Sequence, residues 1–139
     1  MSSIGGVGAF ANLGAYHASK WALEAISESL AAEVGELGIA VTIVEPGGYA
    51  TDWGGSSARH AKPMPAYAFV REAAARRRGA YSPGDPAAAA QALLEIVDTE
   101  APPLRVLLGA QAMEIVDGIY ARRLQTWKDW EPVAKRAQG

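Results

Sequence analysis

The sequence predicts an α/β fold built on parallel strands. Three observations carry that expectation. A glycine-rich stretch from Ser2 to Asn12 leads into a long helical pattern; the helix gives way at Gly38 to a β-branched run, Ile39 to Val44; and a second helix followed by a strand lies between Asp85 and Gly109. Loop, helix and strand repeating in that order is the rhythm of a sheet whose crossovers are helices.

Ser2 to Asn12 is rich in small residues, which suits a loop where backbone approaches another segment closely. Within it, Gly6-Val7-Gly8-Ala9-Phe10-Ala11 matches a G-x-G-x-x-A dinucleotide fingerprint in letters only, because five residues precede Gly6 and the fingerprint requires a strand there. The next helix is expected from Ala15 to Leu37, with Trp21, Ala22, Ala25, Ile26, Leu30 and Val34 covering both faces and Gly38 stopping it. Ile39-Ala40-Val41-Thr42-Ile43-Val44 reads as a strand buried on both faces.

Asp52 to Ala66 has no periodicity and reads as a loop of the length used for lids. A helix follows from Tyr67 to Arg78, its three terminal arginines suited to the negative end of the dipole. Ser82-Pro83-Gly84-Asp85-Pro86 signals a helix start, with Asp85 as N-cap and Pro86 at the first position. That helix should run to about Asp98 with Ala89, Leu93, Leu94, Ile96 and Val97 inward. Leu104 to Gly109 is the second strand, and Gln111 to Lys128 the last helix, with Trp127 and Trp130 packed.

Composition narrows the function classes. In 139 residues, 13 basic and 15 acidic side chains leave a formal charge of −2, which makes no electrostatic case for nucleic acid or an anionic membrane. Zero cysteines exclude disulfides and thiolate metal sites, and His60 lacks a spaced metal partner, so no metal is expected. His60 and His17 both read as solvent-exposed. No apolar run reaches the ~18 residues of a membrane span, and the start lacks signal-peptide character, so a cytoplasmic protein is expected.

The chemistry concentrates at Gly14-Ala15-Tyr16-His17-Ala18-Ser19-Lys20. Tyr16 and Lys20, four apart, share a helix face with Cβ atoms ~5–6 Å apart. An adjacent ammonium favours phenolate over phenol and makes a tyrosine a usable proton donor and acceptor. Alone, such a pair is more often an aromatic under a solvated lysine stem. Its company changes the reading: Ser3 stands thirteen residues before Tyr16, Ser19 directly precedes Lys20, and Pro46-Gly47-Gly48-Tyr49-Ala50-Thr51 leaves the end of the first strand.

Together these motifs resemble the second half of a classical short-chain dehydrogenase/reductase. The resemblance implies the C-terminal portion of a doubly wound, Rossmann-like parallel sheet. Residues 1–139 would form its catalytic and substrate-binding half, residues 48–80 the substrate loop and helix region, and the N-terminal dinucleotide-binding half is absent from this stretch. It further implies that Ser3 holds the substrate carbonyl, that Tyr16 is the general acid/base, and that Lys20 holds the nicotinamide ribose and lowers the tyrosine pKa. Pro46, Gly47, Tyr49 and Thr51 would contact the cofactor, NAD or NADP without distinction, and Tyr49, Trp53 and Met64 would wall the substrate pocket. The expected function is hydride transfer between that cofactor and a small-molecule alcohol or ketone substrate, in a homo-oligomer formed through the 15–37 helix. Two other readings stay open: a non-catalytic remnant or interaction module that uses the long helix, and a dinucleotide-binding domain built on Gly6-Val7-Gly8.

Overall fold

Val44 and Val106 lie side by side at the centre of a parallel sheet that, among the described residues, has two strands, β1 (Ile43–Pro46) and β2 (Arg105–Leu108). The computed structural model describes residues 1–56 and 58–139; Ser57, inside the loop expected from Asp52 to Ala66, lies outside them. Around the sheet run α1 (Ile4–Val7), α2 (Gly14–Val34), α3 (Ala68–Gly79), α4 (Pro86–Val97) and α5 (Ala112–Ala137), with single 3₁₀ turns at Gly35–Leu37, Asp52–Gly54 and Pro65–Tyr67. No helix among the described residues is long and apolar enough to cross a membrane.

The local signals are met where local chemistry sets them. Gly38 adopts the left-handed conformation at φ 73° and its N–H closes on Gly35 O, ending the turn that follows α2. Asp85 caps α4 through Oδ1, which accepts from Ala87 N at 2.9 Å, with Pro86 in the first turn. α1 was not expected; Ser3 starts it by accepting from Gly5 N at 3.0 Å.

The first strand is shorter than the apolar run that announces it. Ile39 is 54% exposed and pairing begins only at Ile43, whose N–H donates to Leu104 O at 2.7 Å. Carrying the register back from Ile43 opposite Arg105 would set Ala40 and Val41 opposite Pro102 and Pro103. Prolines have no N–H to give a ladder, so the strands cannot zip further. Ile43, Val44 and Glu45 are buried in succession, so β1 is covered on both faces as expected.

The apolar core is small: Val7 of α1, Ile43 and Val44 of β1, and Ala112 and Val116 from the first turns of α5. α2 buries only His17 and Glu24, and leaves Trp21, Ile26 and Leu30 exposed, so its two faces are not both covered. In α4, Ala89, Leu93 and Ile96 are half-buried while Leu94 and Val97 face outward. α5 continues past Lys128 to Ala137, and Trp127 and Trp130, expected to pack, are each 63% exposed. The accessible surface of 10171 Å² compares with about 6,900 Å² for a compact monomer of this mass, so much apolar helix surface has no intrachain partner.

One polar cluster joins the layers. Arg105 of β2 bonds Glu45 of β1 at 2.6 Å and Glu28 of α2 at 3.1 Å, and makes a still closer contact with Glu24 of α2. Glu24 and Glu45 are 5% and 3% exposed. Burial pushes the Glu45 carboxyl above the usual carboxylate range, and neighbouring Glu24 adds to the rise while Arg105 opposes it. A carboxyl with a higher pKa folded than unfolded keeps its proton longer in the folded state. Its contribution to stability is therefore greatest below the ordinary value of 4.5 and declines as pH rises through the folded value. Glu45→Gln should flatten that decline. Urea midpoints of both proteins between about pH 4.5 and 7 test this, and parallel pH slopes would remove Glu45 from the linkage.

Candidate active site

The site is built where the chain leaves β1 and where α1 meets α2. Ser2 N donates to Val44 O at 2.7 Å and so ties the start of the chain to β1. Half-buried Ser3 follows, its hydroxyl accepting from Gly5 N and directed at Pro46 O at 3.5 Å. That second contact is long for a hydroxyl donor, so the proton can be redirected at small cost. Ser3 and Pro46, forty-three positions apart, thus meet at the carboxyl end of the strand.

Tyr16 and Lys20 stand in the first two turns of α2. The Tyr16 ring lies edge-on to Trp53, centroids 5.2 Å apart, and its hydroxyl has no hydrogen-bond partner among the described residues. Lys20 Nζ sits 5.8 Å from the Tyr16 ring centroid and donates to Met1 O at 3.3 Å. An ammonium has three donors, so Lys20 retains capacity for further acceptors. The Tyr16 ring also closes over Gly5: a Cβ there would stand 2.9 Å from Tyr16 Cε1. Gly5 therefore touches both Ser3 and Tyr16.

Residues 46–51 follow, and Pro46 already lies beside Ser3. Gly47 N donates to Leu108 O at 2.8 Å, and Gly84 N to Gly48 O at 3.0 Å, with Tyr49 bridged to Gly84. Tyr81, which the sequence reading passed over, fastens the turn: its phenol oxygen accepts from Gly48 N at 2.8 Å and donates to Gly48 O at 3.2 Å. Its place just before the Ser82–Pro86 cap signal was the one hint. Burial, with Tyr81 close by, pushes the Tyr49 phenol above its ordinary value. Thr51 is exposed and bonds back through its N–H to Tyr49 O at 2.9 Å. Trp53 is exposed apart from its contact with Tyr16, and Met64 is exposed, its carbonyl held by Arg71 of α3.

The Gly6-Val7-Gly8 stretch does not form a phosphate loop. A Cβ at Gly6 would stand 2.5 Å from both Glu24 Oε1 and Ser2 Oγ, and one at Gly8 would collide with Ile119 of α5. A buried carboxylate and a packed isoleucine occupy the space an anion would need. His17, expected to be exposed, is buried: Nδ1 bonds Gly5 O and Nε2 accepts from Phe10 N. His60 is exposed.

Residues 1–62 match the family model described as short chain dehydrogenase. The crystal structure of a short-chain dehydrogenase from Streptomyces avermitilis superposes with a TM-score of 0.85 at 41% identity, over 98% of this chain and 50% of that one. The chain belongs to the short-chain dehydrogenase family. Oxidoreductase BOA17 of Botryotinia fuckeliana is 36% identical over 117 residues, 82% of this chain and 43% of that protein. The uncharacterized oxidoreductase C162.03 of Schizosaccharomyces pombe is 34% identical over 119 residues, 84% and 41%. This short-chain dehydrogenase chain spans less than half the length of the curated relatives it matches.

Proposed function

We propose that this chain carries the proton-transfer and substrate-holding residues of an NAD(P)-dependent oxidoreductase acting on an alcohol or carbonyl compound. The observation that carries the reading is the convergence on Gly5 of a hydroxyl donor, Ser3, and a phenol, Tyr16, with Lys20 one turn along the same helix. The two strands are read as neighbours in a larger doubly wound sheet, in keeping with the half of the Streptomyces avermitilis chain that is covered. A cytoplasmic location and a homo-oligomer through the 15–37 helix go with this reading.

The residues present suit the nicotinamide end of such a cofactor. Lys20 has donors to spare for ribose hydroxyls, the Tyr16 hydroxyl is uncommitted, and Pro46, Gly47, Tyr49 and Thr51 line the strand end in fixed backbone geometry. When bound, NAD(P)(H) supplies or receives the hydride. For reduction, Ser3 turns its hydroxyl from Pro46 O to the substrate carbonyl oxygen, and Tyr16 gives the same oxygen its proton. Both interactions strengthen as negative charge grows on that oxygen, which lowers the barrier rather than only the ground state. Lys20, one turn along the same helix, orients the ribose with the donors it has to spare. Tyr49 and Trp53, the latter edge-on to Tyr16, are the side chains read as bounding the substrate.

The test is to incubate the chain with nicotinamide cofactor deuterated at C4 and a panel of aldehydes and ketones, reading deuterium in the alcohol products by mass spectrometry. Transfer to product is expected. Absence of transfer with both NADH and NADPH, together with no saturable cofactor fluorescence, would sink the reading and favour a non-catalytic interaction module. The exposed apolar surface of α2 and α5 is the observation behind that alternative.

A further inference from the structure

We infer that His17 is a positioning residue that sets Ser3 against Tyr16 by gripping Gly5; the inference deepens the oxidoreductase reading and rests on it. His17 is 4% exposed. Its Nε2 accepts from Phe10 N at 2.9 Å, so the proton resides on Nδ1, which donates to Gly5 O at 2.8 Å. The other side of Gly5 is tied as well, its N–H bonding the Ser3 hydroxyl at 3.0 Å. A single residue therefore links the imidazole to the serine.

The same residue meets the tyrosine. A Cβ at position 5 would stand 2.9 Å from both His17 Nδ1 and Tyr16 Cε1, so α1 and α2 touch at Gly5 through the two adjacent side chains of α2. Ring contacts complete the clamp, with Phe10 and Tyr16 at 5.5 and 5.6 Å from His17. A helix can roll about its axis with little loss of apolar contact, but two directed hydrogen bonds from one ring to the facing loop forbid the roll. Rotation of α2 would swing Tyr16 away from Ser3. With both ring nitrogens engaged by backbone, His17 has no lone pair or proton to offer substrate, so its part is geometric.

Two substitutions separate this role from general support. Asparagine sets its amide N–H near the Nδ1 position and keeps the bond to Gly5; glutamine sets its amide oxygen near Nε2 and keeps the acceptor for Phe10. Each loses one buried hydrogen bond. In the full 139-residue chain, amide exchange by NMR should quicken about tenfold at Gly5 in His17→Gln but stay within about threefold in His17→Asn, with the pattern reversed at Phe10. In steady-state kinetics His17→Gln should lower kcat about tenfold with little change in KM, and His17→Asn should recover it. Equal quickening at Gly5 in the two variants, or equal loss of kcat, overturns the proposal. Should either variant fail to fold, two-bond ¹H–¹⁵N spectra of the wild-type imidazole decide, since any state but neutral Nδ1–H contradicts it. If the wild-type chain transfers no hydride, the oxidoreductase reading falls, whereas the exchange pattern still tells whether His17 holds the Ser3 loop.

Discussion

Arg105→Met is expected to lower the unfolding free energy by about 3–5 kcal/mol, the cost of leaving a buried charge without its partner. The guanidinium is the only cation among the described residues that is bonded to Glu24, Glu28 and Glu45. Glu24 and Glu45 are almost wholly buried, and the Glu45 carboxyl is raised above the usual carboxylate range first by burial and further by neighbouring Glu24. Without Arg105 the two carboxylates must shed charge, separate or admit water, and each route loosens the contact between α2 and the sheet. Guanidinium chloride titrations at neutral pH measure the effect. A loss under about 1 kcal/mol would mean that the cluster behaves like an exposed surface pair. Adding Glu45→Gln to Arg105→Met should recover part of the loss, because one of the stranded charges is then gone.

Tyr16→Phe should abolish most hydride transfer, lowering kcat/KM by about 10²–10⁴-fold, the usual worth of a positioned acid/base. The substitution is a clean one. The hydroxyl has no hydrogen-bond partner among the described residues, and the ring keeps its edge on Trp53, so stability should change by less than about 0.5 kcal/mol. A thermal melt beside the kinetic assay separates the two effects. Loss under about threefold would take the proton-transfer role away from Tyr16; loss of activity with an equal loss of stability would assign the tyrosine to packing.

The candidate site was legible in the chain to the extent that its parts are fixed by short-range spacing. Tyr16 and Lys20 share a face because four residues make about one turn, and Asp85 caps α4 because its oxygen reaches an amide two residues on. What was not legible depends on residues distant in sequence. Glu45, in an otherwise apolar run, carries no local sign of a partner sixty positions away. His17 looked solvated because nothing in α2 shows that α1 will fold against it, and α1 itself was hidden among glycines. Tyr81 finds Gly48 only after α3 and the loop before it have doubled back. Trp127 and Trp130 misled in the opposite sense, since bulk alone suggested burial while α5 runs on past the body that would cover them.

The register of the sheet carries a consequence for the order of assembly. Ile43 pairs with Arg105, so the ladder closes a loop of some sixty residues that holds α3 and α4 between its ends. Loop-closure entropy opposes such a step until long-range contacts repay it, whereas α1 and α2, joined by a few residues, meet early. Ser3, Tyr16 and Lys20 can gather in the opening stages of folding, then, while the Pro46–Thr51 segment, tied to Leu108 and Gly84, waits for later ones. A chain caught between those stages would hold Tyr16 and Lys20 together with nothing yet facing them.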